Sequence, residues 1–236
     1  MMNKKNILVT GASQGIGLAI AKHFANTHDV YILSRNEDKL KKLCKEYSFA
    51  GYIVSDLSKE IPELTFDVDI LINNAGVYYY SQVEKMDEED IKNAINLNSL
   101  APYMLIKKVV LYMKKQQFGR IINIGSISGV MGEANASIYS MTKASLIGLT
   151  KSLALELAQD NITVNIINPG WVDTDLINNE NLEEEFSKDE IIETIPQRRF
   201  VDPSEIASTC EFLISDKAKT ITGQSINICA GLSLGF

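Results

Sequence analysis

The sequence predicts an α/β fold, namely a doubly wound parallel β-sheet of about seven strands with helices on both faces. Short runs of Ile, Val and Leu alternate along the chain with longer segments of helical periodicity. These runs are almost continuously apolar, which is typical of strands that are covered on both faces. No internal repeat, low-complexity linker or break in composition divides the 236 residues. We therefore expect residues 1–236 to form a single domain.

Seven apolar runs predict the strands. In chain order they are Ile7–Thr10, Val30–Leu33, Tyr52–Val54, Asp69–Asn73, Arg120–Ile124, Ile162–Ile167 and Ser225–Ile228. Each run is short and rich in β-branched residues, and helical patterns separate most of them, as expected for buried strands of a parallel sheet.

Five longer segments predict helices. Pro102 should interrupt the third of them, and Asp202 is an N-cap candidate for the last. Only about a dozen residues, Pro62 among them, separate Asp56 from the fourth strand, so we expect a shortened crossover helix there. The predicted helices are Ile16–Ala25, Glu37–Tyr47, Glu88–Gln117, Tyr139–Gln159 and Pro203–Ile214.

The composition excludes several classes of protein. Lys and Arg number 23 against 30 Asp and Glu, giving a net charge of −7, and no basic run offers a surface to nucleic acid. No stretch approaches the roughly 18 apolar residues that a membrane-spanning helix needs. Three scattered cysteines suit a reducing compartment. Because only two histidines occur, we expect no catalytic histidine base and no metal site. Taken together, these observations predict a cytoplasmic protein that binds neither nucleic acid nor membranes.

A glycine-rich turn lies between the first strand and the first helix. It contains Gly11, Gly15 and Gly17 in the spacing GxxxGxG. Gly11 permits a tight turn, Gly15 lets the backbone approach a ligand, and Gly17 allows the helix to pack closely on the strand. The helix N-terminus then offers N–H groups and partial positive charge to a pyrophosphate. Although glycines in a turn can be purely structural, this context predicts a dinucleotide site.

Further motifs follow in a fixed order along the chain. They are Asn73-Asn74-Ala75-Gly76, Ser126 thirteen residues before Tyr139, Tyr139-x-x-x-Lys143, and Asn168-Pro169-Gly170. Together with the glycine turn, they resemble the classical short-chain dehydrogenase/reductase (SDR) family over essentially the whole chain. The chain looks closest to the 3-oxoacyl-[acyl-carrier-protein] reductase group of that family, through Ile124-Gly125-Ser126, Ser152-Leu153-Ala154-Leu155-Glu156 and Ile221-Thr222-Gly223. The resemblance implies a Rossmann-type fold. It also implies an oxidoreductase that transfers hydride between a nicotinamide and a ketone, an aldehyde or a secondary alcohol.

The resemblance implies four catalytic residues: Asn98, Ser126, Tyr139 and Lys143. Tyr139 would be the acid/base and Ser126 would hydrogen-bond the same substrate oxygen, while Asn98 would help Lys143 to hold a relay water. Tyr139 and Lys143 lie four residues apart and so share one helix face. Free tyrosine has a pKa of about 10, which makes it a reluctant base at neutral pH. We expect the Lys143 ammonium to lower the pKa of Tyr139.

The resemblance also implies a set of residues that bind the cofactor. Arg35 follows the second strand, where an acidic residue would bind the ribose of NAD and an arginine can pair with the 2′-phosphate of NADP. We expect NADP(H) to be favoured over NAD(H), although Gln14 stands where NADP-preferring members often carry a second basic residue. Asp56 could instead cap a helix. The set is Gly11, Ser13, Gln14, Gly15, Ile16, Gly17, Arg35, Asp56, Leu57, Asn74, Ala75, Gly76, Tyr139, Lys143, Pro169, Gly170, Val172 and Thr174.

The substrate stays open between two classes. Reductases of the acyl-carrier group hold their acidic carrier protein with basic residues, and the matching positions here are Gln117 and Asp160. Lys114 and Lys115 could substitute for them. We favour a small-molecule ketone or aldehyde, with a 3-oxoacyl-[acyl-carrier-protein] as the alternative. A non-catalytic NADP-sensing protein and a halohydrin dehalogenase are remote alternatives, because the Ser/Tyr/Lys set and the glycine turn are intact.

The whole excess of negative charge lies in one segment. Residues 175–193 hold eight acids and one base, Lys188, so the rest of the chain is balanced. The resemblance implies a substrate lid at about 175–197, which would repel anionic substrates if its charge faced the site. The alternative is a solvated amphipathic helix that turns four apolar residues inward: Leu182, Phe186, Ile191 and Ile192.

Contact surfaces are predicted less sharply. The resemblance implies a homotetramer or homodimer, formed through the long helices before the fifth and sixth strands. The apolar end of the chain, Ala230–Phe236, is a further contact candidate. Tyr78, Tyr79 and Tyr80 could line a substrate pocket or cap the edge of the sheet.

Overall fold

One parallel sheet organises the molecule. The computed structural model describes residues 4–174 and 187–234. The strands are β1 (Asn6–Thr10), β2 (Asp29–Ser34), β3 (Gly51–Val54), β4 (Ile70–Asn73), β5 (Gly119–Ile124), β6 (Ile162–Pro169) and β7 (Ser225–Ile228). They pair in the order β3-β2-β1-β4-β5-β6-β7, and every pair is parallel. The predicted doubly wound sheet is therefore confirmed.

Eight helices of the described residues connect these strands. Two of them, like strand β7, begin and end at the predicted residues. The short α5 was not predicted, and α7 lies in the acidic segment for which an amphipathic helix was the alternative to a lid. The helices are α1 (Gly15–Phe24), α2 (Glu37–Tyr47), α3 (Glu88–Ile95), α4 (Ala101–Gln116), α5 (Ser128–Met131), α6 (Ser137–Leu157), α7 (Lys188–Thr194) and α8 (Pro203–Ile214). No helix in the described ranges is both long enough and apolar enough to cross a membrane.

Successive residues of each central strand enter opposite cores, because side chains alternate along a strand. Ile7 packs with Phe24 of α1 and Leu213 of α8 on one face of the sheet. Leu8 packs with Leu105 of α4 on the other face, where α6 also lies. All five side chains are buried, and each such burial stabilises the fold by about 1.5–3 kcal/mol. Two apolar layers therefore hold the sheet between its helices and fix where its strands end.

The connection from β3 to β4 lacks a helix. Residues 55–69 contain one turn, bends and irregular chain, so the crossover helix that was expected to be shortened is absent altogether. Asp56 Oδ1 accepts hydrogen bonds from the Ser58 backbone N–H at 3.2 Å and from the Ser58 hydroxyl at 2.7 Å. These bonds lower the pKa of Asp56. Asp56 therefore closes a turn and does not cap a helix.

The long helical segment before β5 is interrupted, but not at Pro102. Residues Asn96–Leu100 form one π-helical turn between α3 and α4. Pro102 lies in the first turn of α4, directly after this π-helical turn. The interruption thus precedes the proline, and it carries Asn98.

The predicted lid is only partly within the described residues. Residues 175–186, with Leu182 and Phe186, lie outside them. In the described part, Ser187 and Glu190 form a reciprocal capping box at the start of α7, and Ile191 is buried. The cap predicted for the last helix is confirmed, since Asp202 accepts from the Ser204 N–H at 2.7 Å.

Candidate active site

The site opens where the sheet changes its winding direction. Strand β1 pairs with β2 on one side and β4 on the other, and ligands of such sheets bind in the crevice beyond the carboxyl ends of these strands. Two cavities of about 340 and 310 Å³ lie along it. They are lined by all the predicted cofactor residues except Gly15, Gly17 and Lys143. The structure therefore brings a set that is scattered between residues 11 and 174 to one crevice.

The glycine turn has the conformation that an anion site requires. Gly11 and Gly15 have φ values of +64° and +54°, which side chains rarely allow. A Cβ on Gly17 would lie 2.5 Å from the Gly11 carbonyl oxygen, so Gly17 allows the turn to close on its helix. Gln14 makes no side-chain cap bond to α1, and the first turn of α1 has no acidic residue. Its N–H groups are thus available to an anionic ligand.

A network of side chains fixes this turn to the end of β4. The Thr10 hydroxyl oxygen accepts from the backbone N–H groups of Asn74 and Ala75, both at 3.0 Å. The Asn74 amide donates to the carbonyl oxygens of Thr10 and Gly11, at 3.0 and 3.3 Å. Asn74 therefore shapes the cavity wall by holding two loops together.

Two basic side chains lie at the cavity of about 340 Å³. Arg35 and Lys39 both line it, and Lys39 Nζ donates to Gln14 Oε1 at 3.0 Å. The buried Ser34 hydroxyl, on the same wall, has no hydrogen-bond partner among the described residues. The sequence prediction included Arg35 but missed Ser34 and Lys39.

Ser126, Tyr139 and Lys143 meet at the smaller cavity. Ser126 follows β5, whereas Tyr139 and Lys143 project from α6. Ser126 and Tyr139 line the cavity, and Lys143 is buried behind them with Nζ 5.7 Å from the centroid of the Tyr139 ring. Lys143 Nζ donates to the Ile124 carbonyl oxygen at 2.8 Å. The end of β5 thus fixes the position of the ammonium group.

Burial governs the acidity of this pair, and it corrects the prediction for Tyr139. Burial, opposed by the nearby Ser126 hydroxyl and assisted by the Glu133 carboxylate, raises the pKa of Tyr139 to about 12. Burial also lowers the pKa of Lys143 to about 8. The expected lowering of the tyrosine pKa by Lys143 is therefore wrong for this structure, because desolvation of the buried hydroxyl is the largest effect on the pKa of Tyr139.

The Asn98 side chain makes three hydrogen bonds within the protein. Its Oδ1 accepts from the Val77 N–H at 2.8 Å, and its Nδ2 donates to the Val77 carbonyl oxygen at 2.9 Å and to the Thr142 hydroxyl at 3.0 Å. The side chain thus ties the loop after β4 to α6. That loop brings Gly76 close to Lys143, since a Cβ on Gly76 would lie 3.4 Å from Nζ.

An acidic residue that the sequence analysis missed lies beside the reacting groups. Glu133 Oε1 accepts from the Tyr78 hydroxyl at 2.7 Å, and Oε2 accepts from the Ser128 hydroxyl at 2.6 Å. The Ser126 hydroxyl donates to Ser128 Oγ at 3.1 Å. Its place in the loop between Ser126 and Tyr139 is the signal that could have identified Glu133.

The three consecutive tyrosines have different positions. Tyr78 packs edge-on against Tyr139 with ring centroids 4.9 Å apart, and burial together with Glu133 raises the pKa of Tyr78. Tyr78 and Tyr80 line cavities, whereas the Tyr79 hydroxyl accepts from Asn93 at 2.6 Å. Two of the three therefore form the wall of a pocket.

The positions compared above with carrier-protein contacts lie together on the surface. Gln117 Nε2 donates to Asp160 Oδ1 at 3.3 Å. Lys114 Nζ lies 3.3 Å from Asp160 Oδ2. Lys114 is therefore paired with an acid of this chain.

Known proteins share these features. A family model described as short chain dehydrogenase matches residues 5–185. The 3-oxoacyl-[acyl-carrier-protein] reductase FabG of Staphylococcus epidermidis is 39% identical, over 97% of this chain and 98% of its own length. The structure of YwfH, an NADPH dependent reductase involved in bacilysin biosynthesis, has a TM-score of 0.89, 32% identity and 98% coverage of both chains. A variant of the actinorhodin polyketide ketoreductase with NADPH has the same TM-score and identity, covering 98% of this chain and 97% of its own.

Proposed function

The chain belongs to the short-chain dehydrogenase family, and from that premise we propose that it is an NADP(H)-dependent reductase of a ketone or aldehyde on a small molecule. Membership makes it an oxidoreductase that interconverts C=O and CH–OH groups with a nicotinamide cofactor. The observation that carries the finer proposal is the position of Tyr139 and Ser126 on the wall of a cavity that continues the dinucleotide crevice.

The crevice fits NADP(H). The glycine turn and the N-terminus of α1 would hold the pyrophosphate, while Arg35, Lys39 and the unpartnered Ser34 hydroxyl would hold the 2′-phosphate and ribose. Val172 and Thr174 would adjoin the nicotinamide beside Tyr139. When bound, the nicotinamide supplies the hydride for reduction. The two solved neighbours are themselves described with NADPH.

Tyr139 is proposed as the acid of the reaction. With a pKa of about 12 it keeps its proton at neutral pH, so it is ready to donate that proton to a carbonyl oxygen as negative charge develops there. The Ser126 hydroxyl would hydrogen-bond the same oxygen. Lys143, with a pKa of about 8, is mostly protonated at pH 7 and would stabilise the phenolate that remains. Asn98 is proposed to position the loop around Lys143 through its bonds to Val77 and Thr142.

A small-molecule substrate is supported by the surface as well as by the cavity. The pocket beside Tyr139 holds about 310 Å³, which is the size of a small-ligand site and which the substrate would share with the nicotinamide. On the surface near Gln117, Lys114 is paired with Asp160. The similarity to a carrier-protein reductase at 39% identity favours the second candidate function, reduction of a 3-oxoacyl group on an acyl-carrier protein.

A substrate panel tests both candidates. NADPH consumption would be followed spectroscopically with small ketones and aldehydes, and with 3-oxoacyl groups on carrier protein and on a short thiol. We expect turnover of small carbonyl compounds and no advantage from the carrier protein. A carrier-dependent gain in kcat/KM would favour the second candidate. If no carbonyl compound were reduced in the presence of NADPH or NADH, the proposed function would be wrong.

We also propose that the chain acts as one domain in a homotetramer or homodimer. A single sheet that takes strands from Asn6 to Ile228 supports the domain. Exposed apolar side chains on the two long helices support the assembly, among them Leu111 of α4 and Leu155 of α6, which is 83% exposed. Light scattering on wild type and on Leu155→Glu would test the assembly. We expect the variant to have a lower molar mass in solution than wild type, because its subunits would separate.

A further inference from the structure

We propose that Glu133 determines substrate specificity and that the preferred carbonyl substrate carries an ammonium group. The inference rests on the proposed function, because it assumes that the carbonyl is reduced at Tyr139. It adds the chemical class of the substrate and the residue that selects it.

Glu133 lies where two cavities meet. It lines the cavity of about 310 Å³ that contains Tyr139, and also a neighbouring cavity of about 460 Å³. Tyr78 and Trp171 line both cavities as well. A substrate with its carbonyl at Tyr139 that extended into the neighbouring cavity would therefore pass the Glu133 carboxylate.

The negative charge of this carboxylate is not balanced by the described protein. Glu133 accepts hydrogen bonds from Tyr78 and Ser128, but these hydroxyls are neutral, and Glu133 forms no ion pair with a described residue. No Lys or Arg is among the described residues that line either cavity, and the one other charged residue there is Glu190. Residues 175–186, which lie outside the described ranges, contain five acids and no base. A cationic ligand would offset the cost of keeping this carboxylate partly out of water.

The remaining walls favour an alkylated cation. Tyr78 and Tyr80 have their ring centroids 6.3 Å apart, and Trp171 lines the same cavity. Aromatic faces attract cations, with tryptophan the most effective. The Tyr78 and Ser128 hydroxyls hold the carboxylate in place without neutralising its charge. An alkylammonium group therefore matches both the charge and the walls of this cavity, whereas an anionic group would be repelled.

Trp171 allows a binding test that does not depend on turnover, because it is the only tryptophan of the chain. The fluorescence of the full-length protein would be titrated with choline and with its neutral isostere, in which a tert-butyl group replaces trimethylammonium. We expect choline to bind at least about tenfold more tightly than the isostere, a difference of about 1.4 kcal/mol.

Glu133→Gln is the informative variant, because glutamine removes the charge but keeps the shape: its oxygen can accept from one of the Tyr78 and Ser128 hydroxyls, and its NH2 group can donate to the other after that hydroxyl rotates. We expect it to bring the ratio of the two affinities close to one. Glu84→Gln, which removes an acid from another loop, should leave the ratio unchanged. Equal binding of both probes by wild type would overturn the proposal, and so would an unchanged ratio in a Glu133→Gln variant with native circular dichroism.

Turnover separates this inference from the proposed function. An amino ketone and its neutral isostere would be compared as substrates with NADPH. We expect the amino ketone to have at least about tenfold higher kcat/KM, and Glu133→Gln to remove that preference by raising KM. If both ketones were reduced equally well by wild type, the inference would fail and the proposed function would stand. If neither were reduced, the proposed function would fail, and the premise of the inference with it.

Discussion

Lys39 Nζ donates a hydrogen bond to Gln14 Oε1 at 3.0 Å, and both residues line the cavity of about 340 Å³ that also contains Arg35. Gln14 occupies the position at which a second basic residue is expected in NADP-preferring relatives. Lys39 brings positive charge to the same place from the first turn of α2. The Asn36 side chain caps that helix by accepting from the Lys39 N–H at 2.9 Å, which fixes the start of the turn.

Lys39→Ala should therefore weaken the preference for NADPH. Because a charge-assisted contact to phosphate would be lost, we expect kcat/KM for NADPH to fall about tenfold, or about 1.4 kcal/mol, with little change for NADH. Steady-state kinetics with both cofactors would measure the ratio. Lys41→Ala is the matched control, since Lys41 lies on the same helix but pairs with Glu37 at 2.8 Å. An equal loss for both cofactors would contradict the assignment.

The contrast between Arg35 and Lys39 shows what could be predicted from the sequence. Arg35 directly follows a strand whose apolar run is readily identified, so its place at the carboxyl edge of the sheet follows from the fold class. The contact of Lys39 depends on how α2 packs beside the glycine turn, which no local pattern specifies. Its position in the first turn of a capped helix was the available signal, because side chains there point back towards the N-terminus.

The reacting groups show a second limit on what the sequence can predict. The spacing of Tyr139 and Lys143 predicts that they share a helix face, and this holds in α6. Their acidities do not follow from the spacing, because burial is a property of the folded chain. It raises the pKa of Tyr139 and lowers that of Lys143. Glu133 was missed for a similar reason, since its loop has no periodic pattern and its partners come from two other segments.

Tyr139→Phe tests the proposed acid. It removes one hydroxyl and keeps the ring that packs against Tyr78. We expect kcat for ketone reduction to fall by about a factor of 10² to 10⁴, the usual contribution of a positioned acid. NADPH binding, followed by fluorescence, should change by less than about twofold. A variant that retained full turnover would show that another group protonates the substrate.

Lys143→Met should stabilise the folded protein while impairing its reductase activity. The pKa of Lys143 is about 8 in the folded protein, against 10.5 for a lysine exposed to water, and at pH 7 this difference corresponds to a cost of about 3 kcal/mol for burying the charge. Losing the hydrogen bond to the Ile124 carbonyl oxygen returns about 1 kcal/mol of that gain. We therefore expect the free energy of unfolding of Lys143→Met to exceed that of wild type by about 2 kcal/mol at pH 7.

The same pKa shift predicts how stability depends on pH. Between pH 8 and pH 10.5 the unfolded chain binds more protons than the folded one at Lys143. The contribution of this residue to the free energy of unfolding should therefore rise with pH across that window. Urea unfolding of wild type and Lys143→Met at several pH values would isolate it. A difference between the two proteins that stayed constant with pH would contradict the lowered pKa.

Asp160→Arg tests why the carrier-protein alternative is disfavoured. Asp160 pairs with Lys114 at 3.3 Å and accepts from Gln117, so one of the two lysines that could hold an acidic partner is already engaged by an acid of this chain. The substitution would release Lys114 and add a second cation beside it. For a 3-oxoacyl group on an acyl-carrier protein we expect KM to fall about tenfold at low salt, and the gain to disappear at high salt because exposed charges are screened.

Glu88→Arg is the matched control, since Glu88 also pairs with a lysine, at 3.4 Å, and the change in charge is the same. Kinetics with a small ketone should be unaffected in both variants. If wild type already reduced the carrier-bound substrate efficiently and Asp160→Arg brought no gain, this surface would not be what decides between the two substrate classes.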